Sequence, residues 1–254
     1  MNQLIGVEKI SKAYPSTDTS KSTLKVLENL SFTLLPGEIL CILGASGCGK
    51  TTALKILSGL ELPDAGSVVT DFARPGSKIG FLQQGEKLLP WRNVKQNVAL
   101  ALELQHVSYQ EAVNRAEELL AIVGLHAFAL SYPSQISGGM KQRALLARLF
   151  IYAPKLLLLD EPLSALDIVA RRELAEILRT YVRKHNASAV VVTHSVEEAV
   201  FIADRVVTLS RLPATIVDHF AFSKEYLQEG AVLLDRTQGF DVILHGLLKA
   251  ISKQ

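Results

Sequence analysis

Gly44-Ala45-Ser46-Gly47-Cys48-Gly49-Lys50-Thr51 fits the spacing G-x-x-x-x-G-K-[ST] in full. That spacing suits one chemistry, the grip of a polyphosphate. Glycines let the backbone curl tightly enough to aim several N–H groups at one anion. A helix opening at Lys50 adds the partial positive charge of its N-terminus. Lys50 is then expected at the β- and γ-phosphates, and the Thr51 hydroxyl on Mg²⁺. Gly44, Ala45, Ser46, Gly47, Cys48, Gly49 and Thr52 are the other nucleotide-contacting candidates of the same turn.

Asp160 and Glu161 form the second candidate group. They follow the apolar run Leu156 to Leu159 and precede Pro162. An acid at the C-terminal end of a buried strand faces the crevice where α/β sheets bind ligands. Asp160 is expected to hold Mg²⁺ through water, and Glu161 to orient or deprotonate the attacking water.

Bringing these groups together requires particular elements. Glu38 to Leu43 (EILCIL) is too short and too apolar for anything but a buried strand, and the periodicity predicts a helix over 50–57. Strands are expected at 5–10, 27–35, 67–70, 78–82, 155–159, 189–193 and 205–209, with turns at Pro36-Gly37 and Pro63 to Gly66. Helices are expected at 97–104, after Ser108, from Ser137 to Tyr152 and after Asp167. Ser108 to Glu111 and Ser195 to Glu198 both have the S-x-x-E form of a capping box, and Gly124 stands where a C-terminal cap belongs. The last forty or so residues carry no readable motif. Strands and helices alternate at both ends around a helical block, which predicts a parallel α/β core with an inserted helical subdomain.

Composition narrows the class. The 254 residues are 48% apolar and 20% charged, as in ordinary globular proteins. Lys plus Arg number 27 against 25 Asp plus Glu, a net charge of +2 that gives no support for bulk binding to nucleic acid. Two cysteines, Cys41 and Cys48, make neither a disulfide framework nor a zinc set. The start MNQLIGVEKI lacks the pattern of a secretory signal, and no apolar run is long enough to span a bilayer, so the cytosol is the expected compartment.

Further motifs carry a family resemblance. Ile136-Ser137-Gly138-Gly139-Met140-Lys141-Gln142-Arg143 resembles the LSGGQ signature of ABC ATPases. Leu159 to Pro162 followed by Ser164-Ala165-Leu166-Asp167 resembles the D-loop, and Thr193-His194 the switch histidine. Gln84, upstream of Leu88-Leu89-Pro90-Trp91, resembles the Q-loop glutamine, with Gln83 as the fallback; Tyr14 resembles the A-loop aromatic. The order and spacing match over about residues 4 to 210, and Leu88 to Val94 (LLPWRNV) is most similar to ATP-binding subunits of nitrate, sulfonate and taurine importers. The resemblance implies an α/β P-loop NTPase (RecA-like) core with an N-terminal antiparallel β region and an inserted helical subdomain. Residues 1–254 then form one domain, with 1–90 and 153–210 as the nucleotide-binding core, 91–152 as the helical signature subdomain and 211–254 as a C-terminal extension.

The resemblance also implies roles. ATP and Mg²⁺ are the cofactors, with Thr51, Gln84 and Asp160 near the metal and Glu161, His194 and Lys50 catalytic. Tyr14 stacks on adenine, or is simply a packed aromatic. His194 bonds the γ-phosphate, or is a satisfied core histidine. Ser137, Gly138 and Gly139 close over the γ-phosphate held by a second copy, beside the D-loop Asp167. The implied partners are a homodimer, two transmembrane permease subunits and, indirectly, a solute-binding protein, at the cytoplasmic face of the membrane and without nucleic acid. Met140 departs from the pattern, where glutamine is usual. Trp91 is either an anchor for the membrane partner or part of the subdomain core, and its exposure separates the two. A non-transport ABC-type ATPase acting on nucleic acid or the ribosome is the second reading. Such relatives usually carry two nucleotide domains or a long coiled coil, which this sequence lacks. A small-molecule kinase with a phosphate loop is the third, and it has no need of the signature.

Overall fold

The computed structural model describes residues 4–16, 22–70, 78–164, 166–222 and 232–233. These residues form two sheets. In one, β1 (Ile5–Pro15) pairs antiparallel with both β2 (Thr23–Leu34) and β4 (Ala65–Thr70). The other runs in the order β10 (Val232–Leu233), β9 (Ile216–Ala221), β8 (Arg205–Leu209), β3 (Ile39–Leu43), β7 (Ser188–Thr193), β6 (Leu156–Asp160), β5 (Ile79–Leu82). From β8 to β5 all neighbours are parallel.

Parallel strands covered on both faces read as unbroken apolar runs, and every residue of β3, β6 and β7 is buried. The two-residue side-chain period divides them between two cores. Ile39, Cys41, Leu43, Leu157 and Leu159 pack towards the helices that follow β5 and β6. Leu40, Ile42, Leu156 and Leu158 pack towards α1 (Lys50–Leu57) and the antiparallel sheet. Between β5 and β6 the chain leaves the sheet to form α2 (Val94–Glu103), α3 (Tyr109–Ile122) and α4 (Gly138–Phe150), which pack on one another. Then α5 (Ile168–His185) and α6 (Val196–Ile202) return to it. Among the described residues no helix is long and apolar enough to cross a membrane.

The local expectations fail at three places. The first helix of the inserted block opens at Val94 rather than Asn97, because Asn93 and Gln96 make a reciprocal capping box. Asn97 is buried and ties down the preceding turn, donating to the carbonyls of Leu89 and Arg92 and accepting from the Leu89 N–H at 2.7 Å. Neither S-x-x-E site forms a full box: Ser108 and Ser195 cap their helices, but Glu111 pairs with Arg115 and Glu198 turns inward. The region from 211 onwards is not all extension. β9 pairs antiparallel with β8 and continues the main sheet. Gly124 does end α3 in the left-handed region, with the Leu125 N–H reaching back to Leu120 at 2.7 Å.

Candidate functional site

Four adjacent parallel strands end at one edge of the sheet. Just beyond those ends lie Gly44 after β3, His194 after β7, Glu161 after β6 and Gln84 after β5. The topology therefore gathers residues that are far apart in sequence.

The loop after β3 is built to receive an anion. Gly49 has φ 107°, and a Cβ there would lie 2.9 Å from the side chains of Leu27 and Val26, so both backbone and space require glycine. No side chain caps α1, which leaves the helix start to a ligand. Lys50 is buried and folds over the loop, donating to the carbonyls of Gly44 (2.9 Å) and Ala45 (2.8 Å). Two backbone N–H groups of the loop are committed elsewhere: Gly44 donates to Thr193 and Cys48 to Ala45. Burial pushes the Cys48 thiol up, which disfavours the reactive thiolate.

Ser46, Gly47, Lys50, Thr51 and Thr52 line a cleft of about 310 Å³ together with Gln84 and Glu161. Its apolar wall comes from Leu24, Val26 and Leu212. No local pattern could have exposed these three. Leu24 lies beside a polar stretch, and Leu212 lies in the connection from β8 to β9.

The acids lie on the floor and rim. The Thr51 hydroxyl donates to Asp160 Oδ2 at 2.8 Å, while the buried Oδ1 has no hydrogen-bond partner among the described residues. Burial pushes the Asp160 carboxyl above its ordinary range, with the Thr51 hydrogen bond opposing the shift. A buried carboxylate oxygen without a partner, beside a hydroxyl, matches the oxygen ligands a hard cation takes.

Glu161 sits at φ 49°, a conformation that costs a non-glycine residue about 1–3 kcal/mol and concentrates at functional sites. Its carboxylate joins two elements: Oε1 is 2.7 Å from His194 Nδ1, and Oε2 accepts from Gln84 Nε2 at 2.9 Å. The His194 side chain is 46% exposed, so it is not a core histidine. Gln84, not Gln83, reaches the cleft.

Tyr14 does not line this cleft. Burial and a hydrogen bond to Glu61 hold its phenol above the usual tyrosine range, and the Lys12 ammonium stands 5.7 Å from its ring centre. Tyr14 is partly buried against the core behind the antiparallel sheet, and its hydroxyl also bonds Thr52, which lines the cleft. The signature residues are also apart from the phosphate loop. Ser137 caps α4, its hydroxyl accepting from the Met140 N–H at 3.2 Å. With Gly139, Met140 and Asp167 it lines a second cleft, which shares no residue with the first. Asp167 also caps α5, accepting from Val169 and Ala170. Trp91 is 71% exposed, which removes it from the subdomain core.

A family model described as ABC transporter matches residues 27–164. A nitrate import ATP-binding protein of Synechocystis is 41% identical over 199 residues, 77% of this chain and 75% of that protein. An aliphatic sulfonates import ATP-binding protein of Xanthomonas axonopodis is 44% identical over 199 residues, 76% of this chain and 79% of that protein. Among solved structures, a dimeric ATP-binding cassette in a post-hydrolysis state with ADP and Pi superposes with a TM-score of 0.75 at 28% identity, covering 86% of this chain and 99% of that one. Phosphate loop, acid pair and signature thus stand on the architecture such a cassette requires, and the chain belongs to the ATP-hydrolysing subunits of the ABC transporter family.

Proposed function

We propose that two copies of this chain hydrolyse ATP at composite sites and thereby drive separate permease subunits that import a small solute of the nitrate, sulfonate or taurine class. One observation carries the reading. Glu161 stands at the mouth of the phosphate cleft in contact with both Gln84 and His194, while Ser137 and Gly139 line a separate cleft. A lone chain presents both halves of a site without joining them, and a two-fold dimer joins each half to its complement.

In this reading the start of α1 and Lys50 bind the β- and γ-phosphates, which draws Lys50 from the carbonyls it now contacts. The apolar wall of Leu24, Val26 and Leu212 receives the base. Thr51, Asp160 and Gln84 fit Mg²⁺, which supplies neutralising charge to the phosphates. Glu161 orients and deprotonates the attacking water, and His194 holds the γ-phosphate. Ser137 and the first N–H groups of α4 stabilise that phosphate from the opposite copy. Nitrate and sulfonate are named in the relatives reported above, and taurine rests on the resemblance carried by Leu88 to Val94. For the permease, Trp91 offers an exposed aromatic anchor close in sequence to Leu89, which lines a groove of about 450 Å³ between β5, α2 and α4.

Glu161→Gln tests the core of this proposal. It keeps the size and one acceptor oxygen but removes the base, so the variant should bind ATP, lose turnover and accumulate as a dimer. Sizing with ATP and Mg²⁺ reads this out; a strict monomer well above the nucleotide affinity counts against it.

A further inference from the structure

Glu198 is fully buried in the first turn of α6, although its sequence position suggests a surface helix cap. A capping role would send its carboxylate back to the Ser195 N–H. That N–H instead donates to Thr193 Oγ1 at 3.0 Å. The two Glu198 oxygens are committed elsewhere: Oε1 accepts from the Leu163 N–H at 2.8 Å, and Oε2 accepts the Thr193 hydroxyl in a short bond.

These partners belong to the two loops that carry the reacting groups. Leu163 lies in the turn that begins at Glu161, where the Ser164 N–H closes back on the Glu161 carbonyl. Thr193 ends β7 immediately before His194. Glu161 and His194 meet at 2.7 Å, so one buried carboxylate braces both sides of that contact from behind. We propose that Glu198 is a positioning residue for hydrolysis, setting the distance between the Glu161 carboxylate and the His194 ring by tying Leu163 to Thr193.

Packing alone does not explain an acid here. Burial is the main influence on its carboxyl and pushes it up. The nearby Arg171 guanidinium is bonded to Glu197 and the Leu166 carbonyl instead. An ionised group without a direct cation partner costs stability that an apolar side chain would not. What the side chain offers over an apolar one is two polar atoms at a fixed spacing, one for Leu163 and one for Thr193.

The proposal rests on the reading of Glu161 as the base, so Glu161→Gln is measured in parallel. The experiment is steady-state ATP hydrolysis beside equilibrium ATP affinity for Glu198→Ala, Glu198→Gln and Thr193→Val. Glu198→Ala should lose about tenfold to hundredfold in kcat, the usual effect of slight misplacement, with ATP affinity within about twofold of the parent. Glu198→Gln should recover most of the loss, because its amide still accepts from Leu163 and can donate to Thr193. Thr193→Val should share the defect, and its combination with Glu198→Ala should be less than multiplicative. An unchanged kcat in Glu198→Ala overturns the proposal, as does an affinity loss matching the kcat loss. If Glu198→Ala does not fold, an unchanged kcat in Thr193→Val overturns it equally. Glu161→Gln turning over at the parent rate overturns the reading of the base instead, whatever the Glu198 variants do.

Discussion

Asp160 carries the sharpest conflict between stability and use. Its carboxyl is raised chiefly by burial, and one of its oxygens has no partner among the described residues. A raised carboxylate favours the folded state below the ordinary carboxylate range and costs stability as pH rises through the folded value. Asp160→Asn should therefore stabilise the chain at neutral pH, without Mg²⁺ or nucleotide, by about 1 kcal/mol. The gain should shrink towards acid pH, while hydrolysis is lost. Urea melts at two pH values check it, and an Asn variant that melts earlier at neutral pH refutes the account. At this scale the sequence was most legible where chemistry is local. The phosphate loop is one continuous turn, so its spacing alone revealed it. Glu198 and the Leu24–Val26–Leu212 wall were hidden because their roles depend on residues distant in the chain. The surroundings of Tyr14 were hidden for the same reason, since its partner Glu61 lies in another turn.

Elements were legible wherever one pattern dominated. β3, β6 and β7 are unbroken apolar runs, and only a strand covered on both faces suits them. The capping boxes show the limit of such patterns: a serine at an N-cap needs only its own helix, whereas the acid three residues on is free to take a better partner. β9 was missed because only part of it is buried, so its apolar pattern is weak. What locks the sheet at the end away from the site was equally unreadable. Arg205, the first residue of β8, and Glu38, just before β3, are both fully buried, with Nε 2.6 Å from Oε1. Removing one member leaves a buried charge without its partner. Arg205→Met should cost about 3–5 kcal/mol in denaturant melts. Burial already holds the Glu38 carboxyl above its usual range against the pull of Arg205, so the deficit should be smallest at acid pH and grow towards neutrality. A loss of that size with no pH trend would show that packing, not the ion pair, is at stake.

For the whole molecule, the decisive fact is that the phosphate cleft and the signature cleft share no residue. Gly138 allows a clean test of whether they meet between copies. It is exposed at the start of α4, and a Cβ there would find nothing within 4 Å. Gly138→Asp should therefore leave the monomer fold and its own phosphate loop intact. In a closed dimer, however, the new carboxylate faces the γ-phosphate held by the other copy, and like charges in a drying site repel strongly. Hydrolysis should be abolished while ATP affinity of the monomer is kept. Met140→Gln should be mild by comparison. Ser137 caps the Met140 backbone N–H, and a single neutral hydrogen bond gained by the new side chain is worth about 0.5–1.5 kcal/mol. Mixing sharpens the test. A Gly138→Asp chain keeps a sound phosphate loop, and a Lys50→Ala chain keeps a sound signature. Their heterodimer regains one complete site, so an equimolar mixture of two inactive variants should recover up to about a quarter of parent activity if exchange is random and sites act independently. A Gly138→Asp chain that hydrolysed ATP at the parent rate on its own would show that the signature serves no second copy.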